Sequence, residues 1–178
     1  GLMTNYQKTG SGKVVIILPG WGEDSSSFGD LANLLKNKYE VVTLDLPGFG
    51  GTQAPYKAWG IGDYAHFVDA WLKKINIKKV KGLVGHSHGG AIAISLVGNS
   101  RMRPDSLILL ASSGIRDVNK LRRLVLKGGA KIAKIPLKIL PSHTQNRLKR
   151  RTYKSIGSDA LLLPHMEMTY RRLIGQDM

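Results

Sequence analysis

The sequence predicts an α/β domain built on a mainly parallel sheet. Two runs carry that prediction: Lys13-Val14-Val15-Ile16-Ile17-Leu18 and Tyr39-Glu40-Val41-Val42-Thr43-Leu44-Asp45 are β-branched and largely apolar, as strands covered on both faces are. The segment between them has helical periodicity, and the alternation of strand and helix continues as far as Ala111. Parallel strands need a crossover connection, and a helix supplies it.

The elements follow in order. The first strand stops at Pro19-Gly20. Residues 25–36 carry Phe28, Leu31, Leu34 and Leu35 at helical spacing, behind serines that can cap the helix start. The strand over 39–45 then completes a strand, helix, strand unit. Residues 63–75 read as a second helix whose apolar face is Tyr64, Phe67, Val68, Trp71, Leu72 and Ile75. A third strand is expected over 79–84, a third helix over 91–97 and a fourth strand over 105–111.

After Gly114 the strand pattern ends. Residues 117–135 form an amphipathic pattern through Leu121, Leu124, Val125, Ile132 and Ile135, weakened at Gly128-Gly129. Pro136 and Pro141 bracket a connector, Ser142 can cap a basic helix reaching Ile156, and 158–175 gives a last helical stretch broken or started near Pro164. The expected division is a core over 1–114 and a basic helical part over 115–178.

Composition narrows the function classes. A chain of 178 residues with 42% hydrophobic content can bury one core. With no cysteine, disulfides, thiolate metal sites and a thiol nucleophile are excluded, and nothing points to an oxidising compartment. The longest apolar runs fall far short of the roughly 20 residues that span a bilayer. The first residues lack the basic and apolar regions of a signal peptide, so a cytoplasmic location is expected. The net charge of +15 is unevenly spread: residues 1–114 hold 12 Lys/Arg against 8 Asp/Glu, and residues 115–178 hold 15 against 4.

The chemistry-bearing segment is Val84-Gly85-His86-Ser87-His88-Gly89-Gly90-Ala91, a G-x-S-x-G pattern between an expected strand and an expected helix. A serine on such a turn sits in a strained backbone conformation. The flanking Gly85 and Gly89 are needed because side chains there would collide with the neighbouring strand and helix. The helix that follows directs its positive end at an oxyanion formed on the substrate. Ser87 is the candidate nucleophile.

On these residues the chain resembles the α/β-hydrolase superfamily, in particular its smaller members with a helical cap, over essentially residues 5–178. Leu18-Pro19-Gly20-Trp21-Gly22 looks like the family's oxyanion loop, with Pro19 where a histidine usually stands. The resemblance implies that the backbone N–H groups of Trp21 and His88 face the oxyanion. Asp45-Leu46-Pro47-Gly48-Phe49-Gly50-Gly51-Thr52 resembles the family's D-x-P-G-x-G-x-S loop, with Thr for Ser at its end. Asp45 there reads as a loop-ordering carboxylate, and Trp21 can also serve as an apolar residue over the pocket.

In this fold the triad follows the chain order Ser, Asp or Glu, His. No strand-like run follows Ala111, so the expected acid and histidine lie downstream and the chain reads as stopping about two thirds of the way through the fold. Substitutes within the chain are unconvincing as bases or acids. Asp117 reads as a helix cap, His143 and His165 as surface or packing histidines, and His66 as remote. His86 and His88 adjoin Ser87, but the elbow turns adjacent side chains away from its hydroxyl.

The expected function is a cofactor-free, metal-free serine hydrolase of a carboxylic ester or related acyl substrate. The 178-residue chain alone is expected to be poorly active. Two alternatives stay open: a carbon–carbon hydrolase or cofactor-free peroxidase-like member, and a catalytically incompetent fold serving as a binding module. The basic part is read either as a solvated face or as an attractor of anionic substrates or an anionic membrane surface. Nucleic acid is not expected, since that part holds only Tyr153 and Tyr170 for stacking. The unpaired edge of the last parallel strand suggests self-association.

Overall fold

The structure is a computed structural model that describes residues 1–100, 102–113 and 163–175. Its centre is a five-stranded sheet formed by β1 (Tyr6–Thr9), β2 (Lys13–Leu18), β3 (Tyr39–Leu44), β4 (Gly82–His86) and β5 (Ser106–Leu110). The spatial order is β1-β3-β2-β4-β5. β2 to β5 run parallel, with Val15 opposite both Val41 and Gly82 and Gly85 opposite Leu109. β1 is antiparallel to β3, with Tyr6 opposite Leu44. β2 and β4 are therefore neighbours, and the turns that leave them lie at the same, carboxyl, edge of the sheet.

Alternation along the strands sorts the core. Val15, Ile17, Val41 and Val84 face α1 (Gly29–Leu35), packing with Ala32, Phe28, Leu31 and Leu35. Ile16, Leu18, Val42, Leu44 and Leu83 face the other way, onto α2 (Ile61–Lys74) and α3 (His88–Asn99) through Tyr64, Val68, Leu72, Ile92 and Leu96. Coverage on both faces explains why β2 and β3 are continuous apolar runs. A 3-10 turn at Pro164–Met166 leads into α4 (Glu167–Gly175). Met166 is buried in the larger core. Thr169 Oγ1 accepts from the Trp59 N–H at 3.2 Å and Arg172 donates to Ala58 O at 2.8 Å.

Several element limits differ from the sequence reading, each for a physical reason. The helix expected over 25–36 begins as a 3-10 turn, Ser25–Phe28, capped by Asp24 rather than by a serine, and its Leu34 is 80% exposed. The second helix starts earlier, because the Asp63 carboxylate reaches back to the Gly60 N–H at 2.8 Å and so sits inside the first turn. The third strand is Gly82–His86, since Gly82 to Gly85 are the residues in register with Val15 to Leu18.

The chain groups into one compact unit of Gly1–Ile115 with Leu163–Met178 and a second of Arg116–Leu162. The helices expected over 117–156, with Asp117 and His143, lie outside the described residues. Among the described residues no helix is long and apolar enough to cross a membrane.

Candidate active site

β4 ends at His86, and Ser87 is the N-cap of α3 with φ +47° and ψ −112°. A non-glycine residue seldom adopts positive φ, and such strain persists only where the surroundings over-determine it. Here they do. The Ser87 N–H donates to Leu110 O at 2.9 Å, and the Ser87 carbonyl accepts from Gly90, Ala91 and Ser113 at 3.0, 3.3 and 2.9 Å. The turn is thus clamped between α3 and the end of β5.

The flanking glycines are sterically required. A Cβ on Gly85 would lie 2.6 Å from both Gly89 O and Gly90 Cα, and one on Gly89 would lie 2.1 Å from Leu18 O and 2.4 Å from Pro19 O. Gly90, which sequence reasoning did not single out, is confined by a side chain instead: its Cβ would meet Ser112 Oγ at 2.4 Å. The signal for it was present only as a second glycine beside the motif.

Trp21 lies in the turn that leaves β2. Its ring packs edge-on against Phe49 at 4.8 Å, Tyr170 at 5.3 Å and His88 at 5.6 Å between centroids. His88 in turn meets Tyr64 at 4.9 Å and is 5% exposed. The structure therefore brings together the β2 turn, the elbow and the 45–52 loop around one aromatic cluster. Among the described residues, Trp21 Nε1 and His88 Nε2 are the buried side-chain nitrogens without a hydrogen-bond partner.

Burial pushes the His88 pKa down to about 4, so the ring is neutral at physiological pH. The linkage has a definite sign. Unfolded His88 takes up a proton below about 6.5 while the folded ring resists it, so stability is full above that pH and falls as the pH drops toward 4. Between pH 7 and 4.5 the chain is expected to lose roughly 2–3 kcal/mol through this residue. Urea midpoints of the parent and of His88→Met at both pH values check this; equal losses in the two proteins would refute it.

The remaining candidates have other work. Asp45 is 1% exposed and accepts hydrogen bonds from Ser25 N–H at 2.6 Å, Gly51 N–H at 2.8 Å and Asn5 Nδ2 at 2.7 Å. Burial raises its pKa, but the bonds from Asn5, Gly51 and Ser25 outweigh that and leave it below the ordinary carboxylate value. It orders the loop, as its sequence context suggested. His86 pairs through Nδ1 with Glu23 at 2.8 Å and packs on Phe28. His165 Nε2 lies 3.2 Å from Gly48 O, and His66 is exposed on α2. No cluster of three or more metal-ligating side chains occurs among the described residues.

Comparison with known proteins places this geometry in context. A family model described as alpha/beta hydrolase fold matches residues 13–169. An uncharacterized protein of Mycobacterium tuberculosis is 29% identical over 125 residues, which cover 70% of this chain and 36% of that protein. The pimeloyl-[acyl-carrier protein] methyl ester esterase of Legionella pneumophila is 33% identical over 109 residues, covering 61% of this chain and 42% of the esterase. The structure of a meta-cleavage product hydrolase from Pseudomonas fluorescens IP01 superposes with a TM-score of 0.61 at 26% identity, covering 66% of this chain and 44% of the hydrolase. The chain spans less than half the length of these proteins.

Proposed function

The chain belongs to the alpha/beta hydrolase fold family, and we propose that the natural protein is a cofactor-free serine hydrolase of carboxylic esters or related acyl substrates, acting through an acyl-enzyme on Ser87. The observation that carries this reading is the Ser87 backbone. A partly exposed serine is held at φ +47° on the carboxyl edge of a parallel sheet, at the N-terminus of a 12-residue helix. That strain has a use if the hydroxyl must be presented to a substrate.

In this reading Ser87 Oγ attacks the acyl carbonyl as its proton passes to a base. The carbonyl oxygen becomes an oxyanion held by the backbone N–H groups of Trp21 and His88 and by the positive end of α3. Collapse expels the alcohol, which leaves with the proton, and water then cleaves the acyl-enzyme. Because the chain spans less than half of its relatives, the histidine base and its carboxylate partner are assigned to the rest of the natural protein. The aromatic cluster of Trp21, Phe49 and Tyr170 supports an apolar acyl pocket. The excess of basic residues in 115–178 supports an anionic substrate or membrane surface facing that part.

The test is pre-steady-state ester cleavage by the natural protein. A p-nitrophenyl ester is expected to give a burst of one equivalent of p-nitrophenol, with the acyl group recovered on the peptide carrying Ser87. Absence of both burst and adduct rejects the reading. The similarity to a meta-cleavage product hydrolase favours carbon–carbon hydrolysis as the second reading, and cleavage of a vinylogous diketone without ester turnover would move it to first place.

A further inference from the structure

Glu23 lies two residues beyond Trp21 and plays no part in the chemistry above. Its Oε2 takes hydrogen bonds from two directions: from the Gly20 backbone N–H at 2.6 Å and from His86 Nδ1 at 2.8 Å. The Glu23 N–H returns a bond to Gly20 O at 3.3 Å, closing the turn. A carboxylate only accepts, so Nδ1 of His86 carries a proton in this arrangement. The three groups are in close contact, since a Cβ on Gly20 would stand 2.8 Å from Oε2 and 3.0 Å from His86 Nδ1.

Each partner in the Glu23–His86 pair is 32% exposed, and water screens such a pair enough that it adds little to stability. Its consequence is geometric. Trp21 stands between Gly20 and Gly22, the latter at φ +80°, so the permissive glycines on either side restrain its placement little and whatever holds the turn sets it. Glu23 holds Gly20 on one side and, through His86, the residue immediately before Ser87 on the other. One carboxylate therefore links the loop that carries the proposed oxyanion donor to the end of the strand that leads into the proposed nucleophile.

We infer that Glu23 is a positioning residue, which keeps the Trp21 N–H in register with Ser87 through the Gly20–Glu23–His86 bridge. The inference rests on the serine hydrolase reading. An oxyanion donor stabilises the transition state and not the bound ester, so a displaced Trp21 N–H lowers kcat and leaves KM alone.

Ester turnover by Glu23 variants of the natural protein, with amide and imidazole NMR on the same samples, tests it. Glu23→Ala is expected to lower kcat by about 10- to 100-fold, up to what loss of one oxyanion donor costs, with KM within about twofold. Glu23→Gln, whose amide oxygen still accepts from Gly20, is expected to keep about a third of kcat or more, and Glu23→Asp to fall between them if Glu23→Ala does not fold. The Trp21 amide resonance moves in Glu23→Ala and stays in Glu23→Gln. Parental kcat in Glu23→Ala, a loss confined to KM, or Glu23→Gln as impaired as Glu23→Ala overturns the inference. If the parent shows no Ser87-dependent turnover, the hydrolase reading fails instead, and the bridge is judged on the Trp21 amide: unmoved in Glu23→Ala, it is refuted.

Discussion

Replacing Ser87 with alanine is expected to lower kcat of the natural protein by roughly a millionfold, the scale seen when an activated serine nucleophile is removed. The fold should be unaffected. Alanine has the same Cβ as serine, so it feels the same strain at φ +47°, and the four backbone bonds that clamp residue 87 do not involve the hydroxyl. Ester KM and the thermal midpoint are expected to stay close to parental, which separates chemical loss from unfolding. Ser87→Gly sharpens the point. Glycine accepts positive φ without penalty, so this variant should be equally inactive yet no less stable, within about 1 kcal/mol. Ester kinetics and chemical denaturation on the three proteins measure both effects; substantial turnover in Ser87→Ala would remove the nucleophile from the mechanism.

Gly89→Ala is expected to cost more than about 4 kcal/mol, the range reserved for backbone strain and gross overpacking. The new methyl would meet two main-chain oxygens, Leu18 O at 2.1 Å and Pro19 O at 2.4 Å, and neither can turn aside as a side chain could. Relief requires α3 to retreat from β2, which moves the elbow away from the Trp21 turn. Activity and stability should therefore fall together. Gly98→Ala, near the end of the same helix and with nothing within 4 Å of its added Cβ, is the matched control. It is expected to be neutral or to stabilise by up to about 1 kcal/mol, because alanine is the better helix former. Urea denaturation of the two variants decides the matter: a mild effect at Gly89 would mean that α3 and β2 are not in the contact described.

Much of the fold was legible because burial on both faces writes itself into composition. Val15 to Leu18 and Val41 to Leu44 are buried throughout and were readable as strands without further information. β1 was not, since Tyr6 to Thr9 is an edge strand whose residues are mostly exposed and so lack the apolar signal. Leu34 shows the converse. Its spacing suits a buried helix face, but Leu31 and Leu35 take the packed face of α1 and Leu34 is exposed.

The same logic divides the site. The elbow and its glycines were legible because a sharp strand-to-helix turn imposes local demands on sequence. Glu23 was not, because its role depends on β2 and β4 being spatial neighbours although 63 residues separate it from His86. The clamp on Ser87 by Leu110 and Ser113 was hidden for the same reason, being a consequence of β4–β5 pairing. The contact of His86 Nδ1 with Glu23 and the neutral state of His88 likewise follow from tertiary surroundings, which single residues do not announce.

The most direct test of the central claim is the reaction of the natural protein with a fluorophosphonate, followed by peptide mass spectrometry. The account predicts one adduct per chain, on Ser87, formed rapidly in the folded protein and not formed when the protein is denatured before the reagent is added. A folded protein that leaves Ser87 unlabelled, or that is labelled rapidly at another residue, would contradict it.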